Sequence, residues 1–534
     1  MLKDAFVTTR IKPYFSLILV TLLLASLLAA CGDATTSGTT SGVATTAAGG
    51  TATTAAAAGA ATTAAGATTA AGAATTAAGA TTAAGATTAA GATTAAGATT
   101  AAGAATTAAG AATTAAGAAT TAATGGTSAA ALTLPANCTN VALSFWNPFT
   151  GPDGPFMGKL VEGFNSKNPK IKVTMTTQAE YYTQLGTAAA SGTLPDVAIV
   201  HADQMATQVF NNILRPMDDM VTKLGVSASD FPEAVWKAGD VAGKHYSIPL
   251  DIHPMTMFYN EAMLKAAGLT APPKTADEFT KAAAAMTSGG KKGFDITSGF
   301  PVMQIFLQLL YQNGGTAFNA DGTKATWNSD AGVKALQWMK DAQSKYSDPK
   351  LETDAELAAF KSGTVGIVWN GIWQTSSLTG TSVSFPGKAT AIPTIGAKPA
   401  TWAGSHQLTL PVTKGAADAC KDAAAAMFIK YTSDNSVEWA KAGQIPAKNS
   451  VRNSAEFKAL DPQASIAPSV ENAFFQPSVP GINDALAPGP LENAVAAVMS
   501  GSQSDPKAAL DDAAKRADQV LADNKAKFGD KPKS

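Results

Sequence analysis

From residue 132 onward, apolar and polar positions switch between two periods. Val141-Ala142-Leu143-Ser144-Phe145-Trp146 reads as a buried strand, Ile171 to Met175 alternates with a period of two, and Asp196 to Val200 is a third apolar run. Between them, 155–165 and 181–191 have helical spacing. Strands alternating with helices predict an α/β fold with a largely parallel sheet, in which ligands sit at the carboxyl ends of strands. Trp146-Asn147 and His201 to Asp203 lie at two such ends, so both are predicted to face one cleft.

The pattern changes at Tyr246 to Leu269. Pro249 and Pro254 flank Asp251 and His253, and each proline fixes its own φ and restricts the residue before it, so the segment should stay extended. A strand through Met255 to Tyr259 follows, then a short helix with Asn260 as N-cap and Gly268 as stop. We read this stretch as a crossover between two lobes, with the ligand beside it. Beyond it the spacing predicts a helix capped by Thr275, helices over 301–311, 329–344 and 355–362, and a strand over 365–368 leading into Trp369 to Trp373. It further predicts a strand-like 391–393, a loop over 402–407, a strand over 408–410 and a mainly helical remainder to Phe528.

The N-terminus has a different logic. Lys3, Arg10 and Lys12 precede an apolar stretch from Tyr14 to Ala30, short for a membrane span and suited to a signal-peptide core. It ends in Leu28-Ala29-Ala30-Cys31-Gly32, which resembles the lipobox of bacterial lipoproteins. That resemblance implies cleavage after residue 30 and lipidation of Cys31, an extracytoplasmic location and stable anchoring to the cell membrane if more than one acyl chain is attached. From 31 to 131 the chain is nearly all Ala, Thr and Gly in repeats such as TTAAGA. Nothing there can bury enough apolar surface to offset ordering entropy, so a disordered linker is expected. About 100 such residues have a root-mean-square reach of roughly 50–60 Å.

Composition narrows the function. At 534 residues the chain is too long for one core, and 38 Lys+Arg against 39 Asp+Glu leave no basic field for nucleic acid. Three cysteines and four histidines are scattered without zinc-ligand spacing, and there is no HExxH, CxxC or P-loop. No metal or cofactor is therefore expected. Cys138 and Cys420 are the thiols left in the folded part after Cys31. An exported protein can oxidise them, and whether they pair is open at this point.

Seven motifs then occur in order: FWNPFTGPDG (145–154), LPDVAIVHADQ (194–204), YSIPLDIHPMTMFYN (246–260), APPKTADEF (271–279), YQNGG (311–315), FKSGTVGIVWNGIW (360–373) and WAGSHQL (402–408). Together, over about 141–524, they resemble the extracellular solute-binding proteins of bacterial ATP-binding-cassette sugar importers, in the branch similar to maltose-binding protein. The resemblance implies a two-lobed type II periplasmic-binding-protein fold with a hinged cleft. It implies crossings near 251–255, 404–407 and 447–450, an N-lobe of 132–250 plus 408–447, and a C-lobe of 251–407 plus 448–534. It also implies a monomeric receptor, not an enzyme, that hands sugar to permease subunits in the membrane.

A sugar site needs aromatic planes for C–H faces and planar polar groups for hydroxyls. On the resemblance, Trp373 matches a sugar-stacking Trp and Asp203 a hydroxyl-binding Asp, while Tyr182 sits on a tyrosine-bearing helix start. By position at strand ends and crossings, Trp146, Asn147, Asp251, His253, Trp402, Gly404 and His406 join them. Each has a plainer role available: packing for the indoles, an N-cap or surface role for Asp203, and hinge backbone satisfaction for Asp251 and His253. Rival functions are a surface glycoside hydrolase using Asp203 with Asp251, a structural adhesin, and a receptor for glycerol phosphate. The last normally calls for Arg or a helix N-terminus at the phosphate. Only Arg215, Arg452 and Arg516 lie in the folded region, none in a motif assigned to the cleft.

Overall fold

Strand β1 (Val141–Asn147) buries every second residue, Val141, Leu143, Phe145 and Asn147. Phe145 and Phe164 both meet Phe428 edge-on, at 5.1 and 5.2 Å between ring centroids, so one helix on each side of the chain's order (154–167 and 419–434) is pinned to the same face. The structure, a computed structural model, describes residues 132–529. The predicted signal segment, Cys31 and the tract through residue 131 lie outside the described residues.

The remaining strands are β2 (Ile171–Thr177), β3 (Val197–His201), a small hairpin of β4 (Asp240–Val241) and β5 (Lys244–His245), β6 (Ser247–Pro249), β7 (Asp251–Asn260), β8 (Lys292–Asp295), β9 (Val365–Gly371), β10 (Gly387–Ala391), β11 (Thr401–Gly404), β12 (His406–Thr409), β13 (Ile445–Pro446) and β14 (Ala473–Phe474). They form two main sheets. One runs β2-β1-β3-β12-β6, and the other runs β14-β11-β7-β9-β8 with β10 and β13 also paired to β7. The pairs β1·β2 and β1·β3 are parallel, whereas β12 lies antiparallel to both β3 and β6.

The chain changes sheet through single residues. Leu250 joins β6 to β7, and Ser405 joins β11 to β12. These crossings lie side by side: the Leu250 amide donates to the His406 carbonyl at 2.9 Å, and the Ala447 amide beside β13 donates to the Leu250 carbonyl at 3.1 Å. The proline-flanked segment at 251–254 is extended as expected and runs without a break into the strand after it, giving one ten-residue strand buried throughout. One expectation needs correcting here: the loop expected over 402–407 is the end of β11 and the start of β12. The polar residues there bond to neighbouring strands, which local propensity does not register.

Local signals are otherwise met as the chemistry requires. Asn260 Oδ1 accepts from the amides of Ala262 and Met263, and Thr275 Oγ1 accepts from Glu278 N. Gly268 ends its helix at φ +77°. In the second sheet's core, Trp338 stacks on Trp369 at 5.4 Å, with Phe279 and Phe294 packed around Trp369 at 5.1 and 5.2 Å. Cys138 and Cys420 form a disulfide, with 5.6 Å between Cα atoms, that ties the segment before β1 to the first turn of the 419–434 helix.

Candidate ligand-binding cleft

The residues at the two crossings fix a network. Asp251 and His253 are two apart on β7 and so project from the same side of the strand. Asp251 is fully buried, and both its oxygens are used: Oδ1 pairs with His253 Nδ1 at 3.0 Å and accepts from the His406 amide at 3.0 Å. Oδ2 pairs with His406 Nδ1 at 2.7 Å and accepts from Trp439 Nε1 at 2.5 Å. Burial alone would favour the neutral acid, but His406 and then His253 hold the carboxyl below the ordinary Asp range. His253 itself is pushed below the usual imidazole value, by burial first and His406 second, against the pull of Asp251.

Register brings a third histidine in. His201, the last residue of β3, is the cross-strand partner of His406 on β12, and the two rings lie 4.8 Å apart. His253 is the partner of Gly404 on β11. A Cβ on Gly404 would lie 2.2 Å from His253 Nε2, so only glycine leaves room for that ring. His253 and His406 stack at 4.2 Å between centroids. His201 Nδ1 is 2.6 Å from the Tyr182 hydroxyl, which also accepts from the His201 amide at 3.0 Å. Burial, then His406 and His253, lower the His201 pKa well below normal, and burial raises that of Tyr182 well above.

Above these rings opens a cavity of about 500 Å³, a size suited to a small organic ligand. Asp203, Trp373 and Trp402 all line it, together with Tyr182, His201, His253, Gly404 and His406. The Trp373 ring meets His253 edge-on at 5.8 Å and is overlapped by the exposed Phe300 at 6.0 Å; Trp402 lies 6.3 Å from His253. Polar groups on the walls include Gln304, Gln374, Gln476 and Asn483. Burial raises the pKa of Asp203, against the opposing pull of Asn483. The Gly481 amide reaches across to Thr207 Oγ1 at 2.8 Å, so the start of the 482–486 helix touches the wall that carries Asp203. No Lys or Arg side chain lines the cavity among the described residues.

Three candidates lie elsewhere. Asp251 is sealed behind the histidines and is not on the cavity wall. Asn147 is fully buried, with Oδ1 accepting from the Phe149 amide at 3.0 Å and from Thr177 Oγ1 at 3.1 Å, so it holds the turn after β1. Trp146 is half-buried on the other face of β1, outside the lining. Conversely, His201, expected at the cleft but not singled out as a ligand residue, lines the cavity, as do Phe300 and Phe475, which sequence reasoning passed over. For His201 the signal was present, since it ends a predicted strand two residues before Asp203. For Phe300 and Phe475 no strand end or crossing marked them.

The model of the bacterial extracellular solute-binding protein family matches residues 159–464. The chain belongs to that family. Among curated relatives, this solute-binding protein is 28% identical over 216 residues to an arabinooligosaccharide-binding protein of Bacillus subtilis, covering 37% of this chain and 46% of that one. It is 28% identical over 171 residues to the sn-glycerol-3-phosphate-binding periplasmic protein of Escherichia coli, covering 30% and 39%. It thus spans less than half the length of these relatives. Among solved structures, the acarbose-binding GacH receptor of Streptomyces glaucescens superposes with a TM-score of 0.63 at 23% identity, over 72% of this chain and 99% of that one, so the two share a fold.

Proposed function

We propose that this solute-binding protein is the membrane-anchored receptor of an ATP-binding-cassette importer, and that it captures a mono- or oligosaccharide reversibly and delivers it to the permease. In this reading Cys31 carries the lipid and 31–131 is the tether. Residues 132–250 with 408–447 and 251–407 with 448–534 act as two bodies that close on the sugar by a hinge at the crossings. The observation that carries the reading is that Trp373 and Trp402 share one cavity with Asp203, Gln304, Gln374 and Asn483, which offers indole planes and planar hydrogen-bonding groups together. The oligosaccharide- and acarbose-binding relatives support the same ligand class.

A glycerol-phosphate ligand, suggested by the second relative's name, is disfavoured by the lining. Arg215 is paired with Asp422, Arg452 holds the carbonyls of Pro446 and Ala447, and Arg516 faces Asp512, so all three arginines of the described region are committed outside the cavity. A glycosidase pair of Asp203 and Asp251 is disfavoured too, because Asp251 is sequestered by four hydrogen bonds. The test is a titration of mono- and oligosaccharides followed by tryptophan emission, with assay for product. Saturable change without turnover is expected. Trp373→Ala should weaken binding by about 1–2 kcal/mol or more, the scale of a lost interface aromatic; unchanged affinity removes Trp373 from the site, and turnover of a glycoside overturns the receptor reading.

A further inference from the structure

Four histidines lie in the described chain, and they divide into two kinds. His245 uses both ring nitrogens, Nδ1 with Asp240 at 2.6 Å and Nε2 with the Ser247 carbonyl at 2.6 Å, and its ring stacks on Trp236 at 4.0 Å. That is a satisfied structural histidine. The other three use only Nδ1: His253 and His406 on the two oxygens of Asp251, and His201 on Tyr182. Their Nε2 atoms have no hydrogen-bond partner among the described residues. One nitrogen from each of the three rings lies within 4.8 Å of the others.

We propose that His201, His253 and His406 bind a late first-row divalent metal ion such as Zn²⁺ through their Nε2 atoms, at the floor of the cleft, with a coordination position left open to the cavity. The donor set is three imidazoles and no other ligand, which suits Zn²⁺, Co²⁺, Ni²⁺ or Cu²⁺ and not the oxygen-seeking Mg²⁺ or Ca²⁺. The supporting shell has the form metal sites use. A ligating histidine normally gives its other N–H to a carboxylate or another acceptor, which fixes the tautomer and raises ligand basicity. Here one buried carboxylate, Asp251, serves two rings and also supplies negative charge behind the ion, and the Tyr182 oxygen serves the third.

The geometry is close to closure. Three nitrogens on one tetrahedral ion at about 2.0–2.1 Å stand roughly 3.4 Å from one another. With one nitrogen per ring within 4.8 Å of the others, the widest pair has to close by up to about 1.4 Å to meet that spacing. The absence of a side chain at Gly404 lets the His253 ring sit where it does, and the His253–His406 stack already places two rings together. The open position would take an oxygen donor of the captured solute, a hydroxyl or carboxylate. The inference is independent of which solute that is.

The experiment uses the metal alone. The purified full chain, freed of metal with chelator, is titrated with ZnSO₄ by calorimetry and with NiCl₂ by tryptophan emission, since Trp373 and Trp402 stand 5.8 and 6.3 Å from His253. The expected result is one ion per chain at micromolar affinity or tighter, with no response to MgCl₂. His201→Gln should weaken it at least tenfold, Tyr182→Phe by about tenfold, and His245→Gln should leave it unchanged, each variant first shown to melt cooperatively. If His201→Gln does not fold, Tyr182→Phe carries the same comparison. Absence of saturable binding up to millimolar Zn²⁺, equal affinity in folded His201→Gln or Tyr182→Phe, or loss only in His245→Gln overturns the proposal. Sugar binding measured separately is unaffected as evidence by either result.

Discussion

Asp251 holds the two cleft histidines His253 and His406 from behind the cavity wall. It satisfies two imidazoles, a backbone amide and an indole while reaching no solvent. Asp251→Ala strands all four donors in a dry interior, and the expected loss is about 3–5 kcal/mol in urea unfolding. Asp251→Asn, which keeps the shape and one acceptor, should cost less; equal stability of all three proteins would show that the network bears no weight. Glu356 offers a pH prediction. It is fully buried, Oε1 accepts from Asn370 at 3.2 Å while Oε2 has no partner, and burial pushes its pKa up to about 7. The folded state therefore holds a proton that the unfolded chain, at the ordinary 4.5, releases. By linkage its stabilising contribution is complete below about pH 4.5 and is lost as pH rises through 7, by on the order of 3 kcal/mol. Melting temperatures followed from pH 4.5 to 8 should fall with a slope that Glu356→Gln flattens.

Single glycines decide what the elements can hold. Gly404→Ala places a methyl carbon 2.2 Å from His253 Nε2, and the ring must leave its stack or β11 must shift. The expected cost is about 1–3 kcal/mol in stability, with a measurable drop in affinity for whatever occupies the cleft. Gly186→Ala, with nothing within 4 Å in the 181–191 helix, should instead hold or gain about 0.5–1 kcal/mol. Unfolding midpoints of the two variants give the contrast. At this scale the sequence was readable where period and capping agree: β1, β2, β3 and the 181–191 helix follow from alternation and spacing, and Asn260 and Thr275 from cap chemistry. It was unreadable where partners are distant. The three-ring cluster joins residues 201, 253 and 406, separations at which no ligand-spacing rule operates. Asp251 looked like a wall residue because its position beside the crossing was right and its direction was not deducible. The same limit hid the strand character of β11 and β12, which polar residues made look like a loop, although the family resemblance had implied a crossing at 404–407.

At the scale of the molecule, two sheets meet where Leu250 and Ser405 pass between them, and the cavity sits over that seam. The motif order carried this much of the architecture, because five of the seven motifs fall at strand ends or crossings that the fold brings together, while APPKTADEF opens one helix and YQNGG closes another. One covalent link spans the first of these units: Cys138 to Cys420, 282 residues apart. A loop of that length gives a disulfide a large entropic share in stability, so Cys138→Ala with Cys420→Ala, or reduction of the intact protein, should cost about 2–5 kcal/mol. Guanidinium midpoints with and without reductant test it, and coincident curves would remove the bond from any stabilising role.

That bond also sets where pulling force enters. Only Thr139 and Asn140 separate Cys138 from β1, the strand between β2 and β3. Tension arriving along the preceding chain would reach the sulfur bridge first and be shared with the 419–434 helix, so β1 would not be unzipped from its end. A chain pulled from that end would thus load the bridge before it loads the sheet.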